Sequence, residues 1–167
     1  FECSRAQYLF RASELIAAGM GPGNINAIKF NVISLATSSN NPPHFALHQQ
    51  TFKIGTTSAG TLDLSAWHPG ATTVYGPVDY TPVTGLNTFS FNTPFFWNGT
   101  DNIIIEVCNG AAGNDTGIFW TGNAVIPWTT DLSFDASNTY RADNVGNLCD
   151  IASTDNGGDN TTPPNIT

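Results

Sequence analysis

The 167-residue chain is predicted to fold as an all-β, jelly-roll-like antiparallel β-sandwich with one short helix near its N-terminus. Three observations carry that prediction. Roughly nine to eleven short apolar, aromatic or β-branched segments recur, with turn signals about every 8 to 12 residues. Charged residues make up only 11% of the chain, so neutral Gly, Asn, Thr and Ser must cover most of its surface. The third is the stretch from Phe95 to Cys108, where an apolar run, the pair Asn98-Gly99 and a β-branched run follow one another. Asn-Gly accepts the positive φ of a type I′ turn, so this stretch reads as two antiparallel strands of a tight hairpin. In its second strand, Ile103, Ile105 and Val107 share one face, and Ile104, Glu106 and Cys108 the other. Three consecutive isoleucines leave neither face wet, which predicts a central strand with a covering segment over Glu106 and Cys108.

The other elements follow in chain order. Gln7 to Phe10 is a short aromatic strand, and Ser13 to Gly19 is one or two helical turns with Ser13 as cap and Gly19 as terminator. Ile25 to Ala36 alternates, with Ile28, Phe30 and Val32 inward against Lys29 and Asn31. Ser38 to Pro43 is loop by composition, and His44 to Ile54 is a strand pair or one bent strand anchored by Phe45, Leu47, Phe52 and Ile54. Thr61 to Trp67 reads equally as strand or short helical turn. Thr72 to Tyr75, Val78 to Tyr80 and Leu86 to Phe91 are strands separated by Pro77, Pro82 and Gly85, with Phe89 and Phe91 inward. Gly117 to Trp120, Val125 to Trp128 and Asn138 to Arg141 are further short strands. The tail from Asp155 to Ile166 is mostly loop, closed by a strand at Asn165-Ile166. No linker or charge block divides the chain, so residues 1–167 are expected to form one β-sandwich domain.

The net charge of −8, with Arg5, Arg11, Lys29, Lys53 and Arg141 as the only five Lys and Arg, argues against nucleic acid and anionic membranes as partners, since both need clustered cations. No apolar run approaches the roughly 20 residues of a membrane span, so no membrane insertion is expected. Phe1-Glu2-Cys3 lacks the basic and apolar regions of a signal peptide, and the numbering is expected to start at a mature end or a fragment boundary. Three cysteines leave one over after a single intramolecular bond. Cys108 and Cys149 lie in or beside ordered regions and are paired here, which leaves Cys3 free or bonded to another chain. Three reduced, buried cysteines in a cytosolic protein is the alternative.

Catalysis needs a positioned base and nucleophile or a carboxylate pair, and no such signature is present. In a strand, His44 and His48 would lie about 13 Å apart, too far to share a metal, and His68 stands alone. Asp155 to Asn160 places oxygen ligands on a loop where Asp155 and Asp159 could hold calcium, against the reading of a solvated turn. Asp131, Asp135 and Asp143 are a second, weaker set. No other cofactor is expected. Trp67 and Trp128 sit beside loops and could stack on a sugar ring, helped by Tyr75 and Tyr80, whereas Trp97 and Trp120 read as core.

A family resemblance spans nearly the whole chain. It rests on Arg5-Ala6-Gln7-Tyr8-Leu9-Phe10, Ser13-Glu14-Leu15 with Ala18-Gly19, Gly23-Asn24-Ile25, and Ile28 with Phe30-Asn31-Val32. It continues through Phe52-Lys53-Ile54-Gly55, Thr73-Val74-Tyr75, Tyr80-Thr81-Pro82-Val83, Asn87-Thr88-Phe89, Thr93-Pro94-Phe95, Trp97-Asn98-Gly99-Thr100 and Asn102 to Cys108. Tyr140-Arg141-Ala142-Asp143, Cys149 and Pro164-Asn165-Ile166 complete it. Together these resemble the repeated extracellular β-sandwich module of surface and secreted Bacteroidetes proteins, which are often type IX secretion cargo and adhesin-like. Pro163-Pro164 and the end at Thr167 depart from the basic residue and continuing strand of that pattern. The resemblance implies an exported, disulfide-compatible unit used in adhesion or surface-fibre architecture.

The expected function is therefore a non-enzymatic, extracellular or cell-surface structural or adhesive unit, possible as a self-assembling filament subunit. Its partners would be copies of itself or neighbouring modules. A carbohydrate-binding module recognising surface glycans is the alternative.

Overall fold

The computed structural model describes residues 3–35, 37–38, 47–110, 120–121, 126–127, 132–142, 148–154, 161 and 163–165. The strands are β1 (Cys3–Phe10), β2 (Gly23–Val32), β3 (Thr37–Ser38), β4 (Leu47–Thr57), β5 (Thr72–Tyr80), β6 (Gly85–Trp97), β7 (Asn102–Gly110), β8 (Trp120–Thr121) and β9 (Ser137–Ala142). One helix, α1 (Ala12–Ala17), follows β1, and a 3-10 turn spans Leu148–Asp150. A five-stranded antiparallel sheet of order β5-β4-β7-β1-β9 packs against the two-stranded β2-β6 sheet, and β3 pairs with β8. The protein is an all-β sandwich.

The central position of β7 follows from its sequence. Ile103 and Ile105 enter the inter-sheet core with Phe52, Ile54 and Val74 from the large sheet, Ile28 and Phe89 from the small one, and Ala12 and Leu15 from α1. Ile104 points the other way, onto Leu9 and Leu62 with Leu64 and Phe134. Both faces are covered, as a continuous apolar strand requires. The inter-sheet core is largely aromatic. Phe89 lies 4.6 Å from Phe52, 5.3 Å from Tyr75 and 4.5 Å from Tyr80, measured between ring centroids. Edge and tilted geometries of this kind add stabilisation beyond the area buried. Tyr75 and Tyr80 thus pack, partly buried, against the core, and Tyr80 donates its hydroxyl to Asn87 Oδ1 at 2.9 Å. Trp97 is fully buried and donates Nε1–H to the Asp101 carbonyl at 2.7 Å.

Several sequence expectations are corrected. The Asn98-Gly99 turn does not close a hairpin: β6 pairs with β2, and both edges of β7 are taken by β1 and β4. The turn is a corner that carries the chain from one sheet to the other. Asn98 Oδ1 accepts the N–H groups of Thr100 and Asp101 at 2.9 and 3.0 Å, and Gly99 supplies φ +80°. The same turn chemistry serves a hairpin or a corner, and pairing elsewhere decides between them. The segments on either side of Pro77 form the single strand β5, because β5 is a sheet edge and an edge tolerates a residue with no N–H to donate. Residues 61–67 form neither strand nor helix.

Helix α1 is capped by Arg11 rather than Ser13: Glu14 Oε2 accepts the Arg11 N–H at 2.8 Å. It ends in a Schellman arrangement, with Gly19 N–H to the Ile16 carbonyl and Met20 N–H to the Leu15 carbonyl, both at 2.9 Å. Gly19 has the left-handed φ of +93° that this ending needs. Asn102 ties the helix to the sheet. Its Oδ1 accepts the Ala12 N–H at 2.8 Å and its Nδ2 donates to the Ala59 carbonyl at 2.9 Å. Asn102→Ala removes both bonds and is expected to cost about 1–2 kcal/mol, read as an earlier urea midpoint with an unchanged slope.

Tyr8 lies buried in β1, and burial pushes its phenol up to about 12, with the Arg141 charge opposing. The unfolded phenol ionises near 10.0. The unfolded chain therefore releases its proton first, and stability falls as pH rises through that window. A loss of about 2–3 kcal/mol is expected there, with tyrosinate absorbance appearing together with unfolding. Burial raises Tyr75 and Tyr80 as well, in the same sense.

Candidate functional site: a buried charge cluster beneath a disulfide-held strap

Strand register alone assembles the most unusual feature of the molecule. On the outer face of the five-stranded sheet, Gln7 of β1 lies opposite Glu106 of β7, and Lys53 of β4 opposite the same Glu106. Asn138 of β9 extends the row beyond Gln7, and Thr73 of β5 extends it beyond Lys53. A polar row thus crosses all five strands. The neighbouring row pairs Arg5 with Cys108, and Cys108 with Thr51.

Glu106 is 2% exposed, a burial that a carboxylate tolerates only when paired. Its Oε2 accepts from Arg5 Nη2 at 2.8 Å and from Gln7 Nε2 at 2.7 Å. Its Oε1 has no well-aligned hydrogen bond but lies 2.8 Å from Lys53 Nζ, a close ion contact. The Gln7 amide is spent completely, donating also to the His68 carbonyl at 2.9 Å and accepting the His68 N–H at 2.7 Å. One carboxylate thus holds two of the five cations of the chain.

The cover comes from two segments. His68 and its neighbours close one side. His68 Nδ1 donates to the Pro69 carbonyl at 2.8 Å, and its Nε2 is hydrogen-bonded to Thr57 Oγ1, also at 2.8 Å. Residues 148–154 form a strap over the other side. Lys53 Nζ donates to the Cys149 carbonyl at 3.3 Å, and Arg5 Nη1 to the Ile151 carbonyl at 2.6 Å. The strap is bonded to β7 by the Cys108–Cys149 disulfide, the pairing expected from the sequence. Trp67 joins the two covers: its Nε1 donates to the Ser153 carbonyl at 3.2 Å, and the Arg5 guanidinium carbon lies 4.3 Å from its ring centroid.

The remaining expected site residues are placed as follows. Cys3, read as free or intermolecular, begins β1 and is 1% exposed, so a bond to another chain would require its exposure. Trp67 is half-buried with Arg5 against its ring. Trp128, Asp155 and Asp159 lie outside the described residues, as do His44, Asp131 and Asp143. Among the described residues, no three His, Cys, Asp or Glu side chains gather as a metal site. No helix among them is long and apolar enough to cross a membrane. Sequence reasoning placed Glu106 and Cys108 on one covered face but did not find Arg5 and Lys53. The available signal was Lys53 itself, an isolated cation between Phe52 and Ile54 in a strand whose other face is core.

The arrangement holds charge in place and offers little for chemistry. A general base needs a lone pair aimed at a substrate, and here each Glu106 oxygen faces a cation of the same chain beneath a covalently fastened cover. No family model matches the chain, and neither a curated protein nor a solved structure matches it.

Proposed function

We propose that the protein is a non-enzymatic, extracellular structural or adhesive β-sandwich unit of a bacterial surface protein, able to assemble with copies of itself or with neighbouring modules. Its resemblance to the repeated module of Bacteroidetes surface proteins points the same way. The observation that carries the reading is the Glu106 cluster: the chain's own side chains and carbonyls consume its most buried charges, and a disulfide locks the lid. Such a cluster fixes strand register and cover position, which suits a unit built to bear load outside the cell, where disulfides persist. Calcium at Asp155 and Asp159 belongs to the same reading, and a chelator would then lower the melting temperature.

A panel of glycosidase, esterase and peptidase substrates tests the non-enzymatic part. No turnover above buffer is expected. Turnover that disappears in a folded Glu106→Gln variant would make the cluster an active site and overturn the reading.

A further inference from the structure

On the same outer side of the large sheet, beyond the Leu9–Ile104–Leu62 contact, lies an open cleft of about 500 Å³ lined by Arg11, Gly60, Thr61, Ser133, Phe134, Asp135 and Thr161. That volume falls within the range of small-ligand sites. Its two walls are laced together. Leu62 N–H donates to the Asp135 carbonyl at 2.8 Å, and Asp135 N–H to Thr61 Oγ1 at 3.2 Å.

Arg11 is fixed at the cleft by contacts that do not neutralise it. Its Nε and Nη2 both donate to the Gly60 carbonyl, at 2.9 and 2.5 Å, and its guanidinium carbon lies 3.5 Å from the Phe134 ring centroid. A guanidinium has five N–H donors, so three remain. Among the described residues no carboxylate comes within ion-pair range of Arg11, and the Asp135 carboxylate has no side-chain partner. The lining of the cleft thus includes a held donor group and, beyond ion-pair range of it, a residue with an acceptor-only carboxylate, together with Ser133 and the aromatic Phe134.

This combination discriminates between ligand classes. A simple anion would suit Arg11 but meet Asp135, and a metal ion would find a single carboxylate beside a guanidinium. A saccharide satisfies both groups, because each ring hydroxyl accepts from a guanidinium and donates to a carboxylate while the C–H face rests on apolar surface. We propose that this cleft is a saccharide-binding site, with Asp135 and Arg11 gripping neighbouring hydroxyls. The proposal rests on the adhesive part of the reading above and gives that part a ligand class; the capacity to assemble does not depend on it.

The test is a glycan array probed with the labelled, oxidised protein, followed by amide NMR titration with the sugar that binds best and, separately, with glycine as a zwitterion lacking hydroxyls. Saturable shifts confined to residues 60–62 and 133–136 and to the Arg11 side chain are expected. Asp135→Asn, which keeps the shape but loses the charged acceptor, should weaken binding about tenfold or more at unchanged melting temperature. An empty array, shifts centred on Trp67, equal shifts with glycine, or full binding by folded Asp135→Asn would each overturn the proposal. Assembly and turnover are read on the same protein without sugar, so failure here is distinguishable from failure of the structural reading.

Discussion

Glu106→Gln is expected to melt about 5–10 °C below the parent protein, a loss of about 2–3 kcal/mol. The substitution keeps the shape of the side chain and an oxygen for Arg5 and Gln7, but it leaves Arg5 and Lys53 facing each other across a neutral amide. Their side chains are 12% and 20% exposed, so water screens part of the repulsion, and the loss falls below that of a fully enclosed pair. The triple variant Arg5→Met, Lys53→Met, Glu106→Leu should recover most of the loss, since apolar replacement of a buried ion cluster removes its desolvation cost as well. The sign also separates two kinds of site. Residues kept for activity commonly strain the fold, and replacing them stabilises it. A Glu106→Gln variant that melts higher than the parent would mark the cluster as functional chemistry instead of a fastening.

Removing the disulfide is the second large effect. Cys108 and Cys149 are 41 residues apart, and closing a loop of that length lowers the entropy of the unfolded chain by an amount worth about 4 kcal/mol. The double variant Cys108→Ala, Cys149→Ala avoids placing a hydroxyl in the fully buried Cys108 position, and its melting temperature should fall by about 10 °C. The strap should loosen before the sheet does. Ile151 N–H, which donates to the Leu148 carbonyl at 3.1 Å, should exchange early, and Trp67 fluorescence should change as its bond to Ser153 is lost. Parent-like melting of a variant confirmed to lack the bond would show that the noncovalent contacts of Lys53 and Arg5 hold the strap alone.

What the sequence discloses divides along a physical line. Period-2 patterns report burial, so β7 as a central strand, the inward set Ile28, Phe30 and Val32, the core position of Trp97 and the covered face of Glu106 and Cys108 are all legible in the sequence. Pairing partners are not local properties. Asn98-Gly99 announces a reversal of direction, but whether β6 turns onto β7 or crosses to β2 depends on which strands claim the edges of β7. Pro77 announces a missing donor, which breaks a strand only where a neighbour needs that donor. The charge cluster is non-local in the same way: Arg5, Gln7, Lys53 and Glu106 come from three strands, and only register brings them together. The cleft is hidden for that reason too, since Arg11 and Asp135 are distant in the sequence and come to line one cleft only in the fold.

The most direct test of the central claim is the solution mass of the oxidised protein over a wide concentration range, by sedimentation equilibrium, with electron microscopy of the same samples. A structural unit of the proposed kind should associate as concentration rises and give regular filaments or discrete oligomers, and it should do so without any added substrate. A monomer at every concentration that also fails to associate when fused in tandem to a second copy would contradict the account.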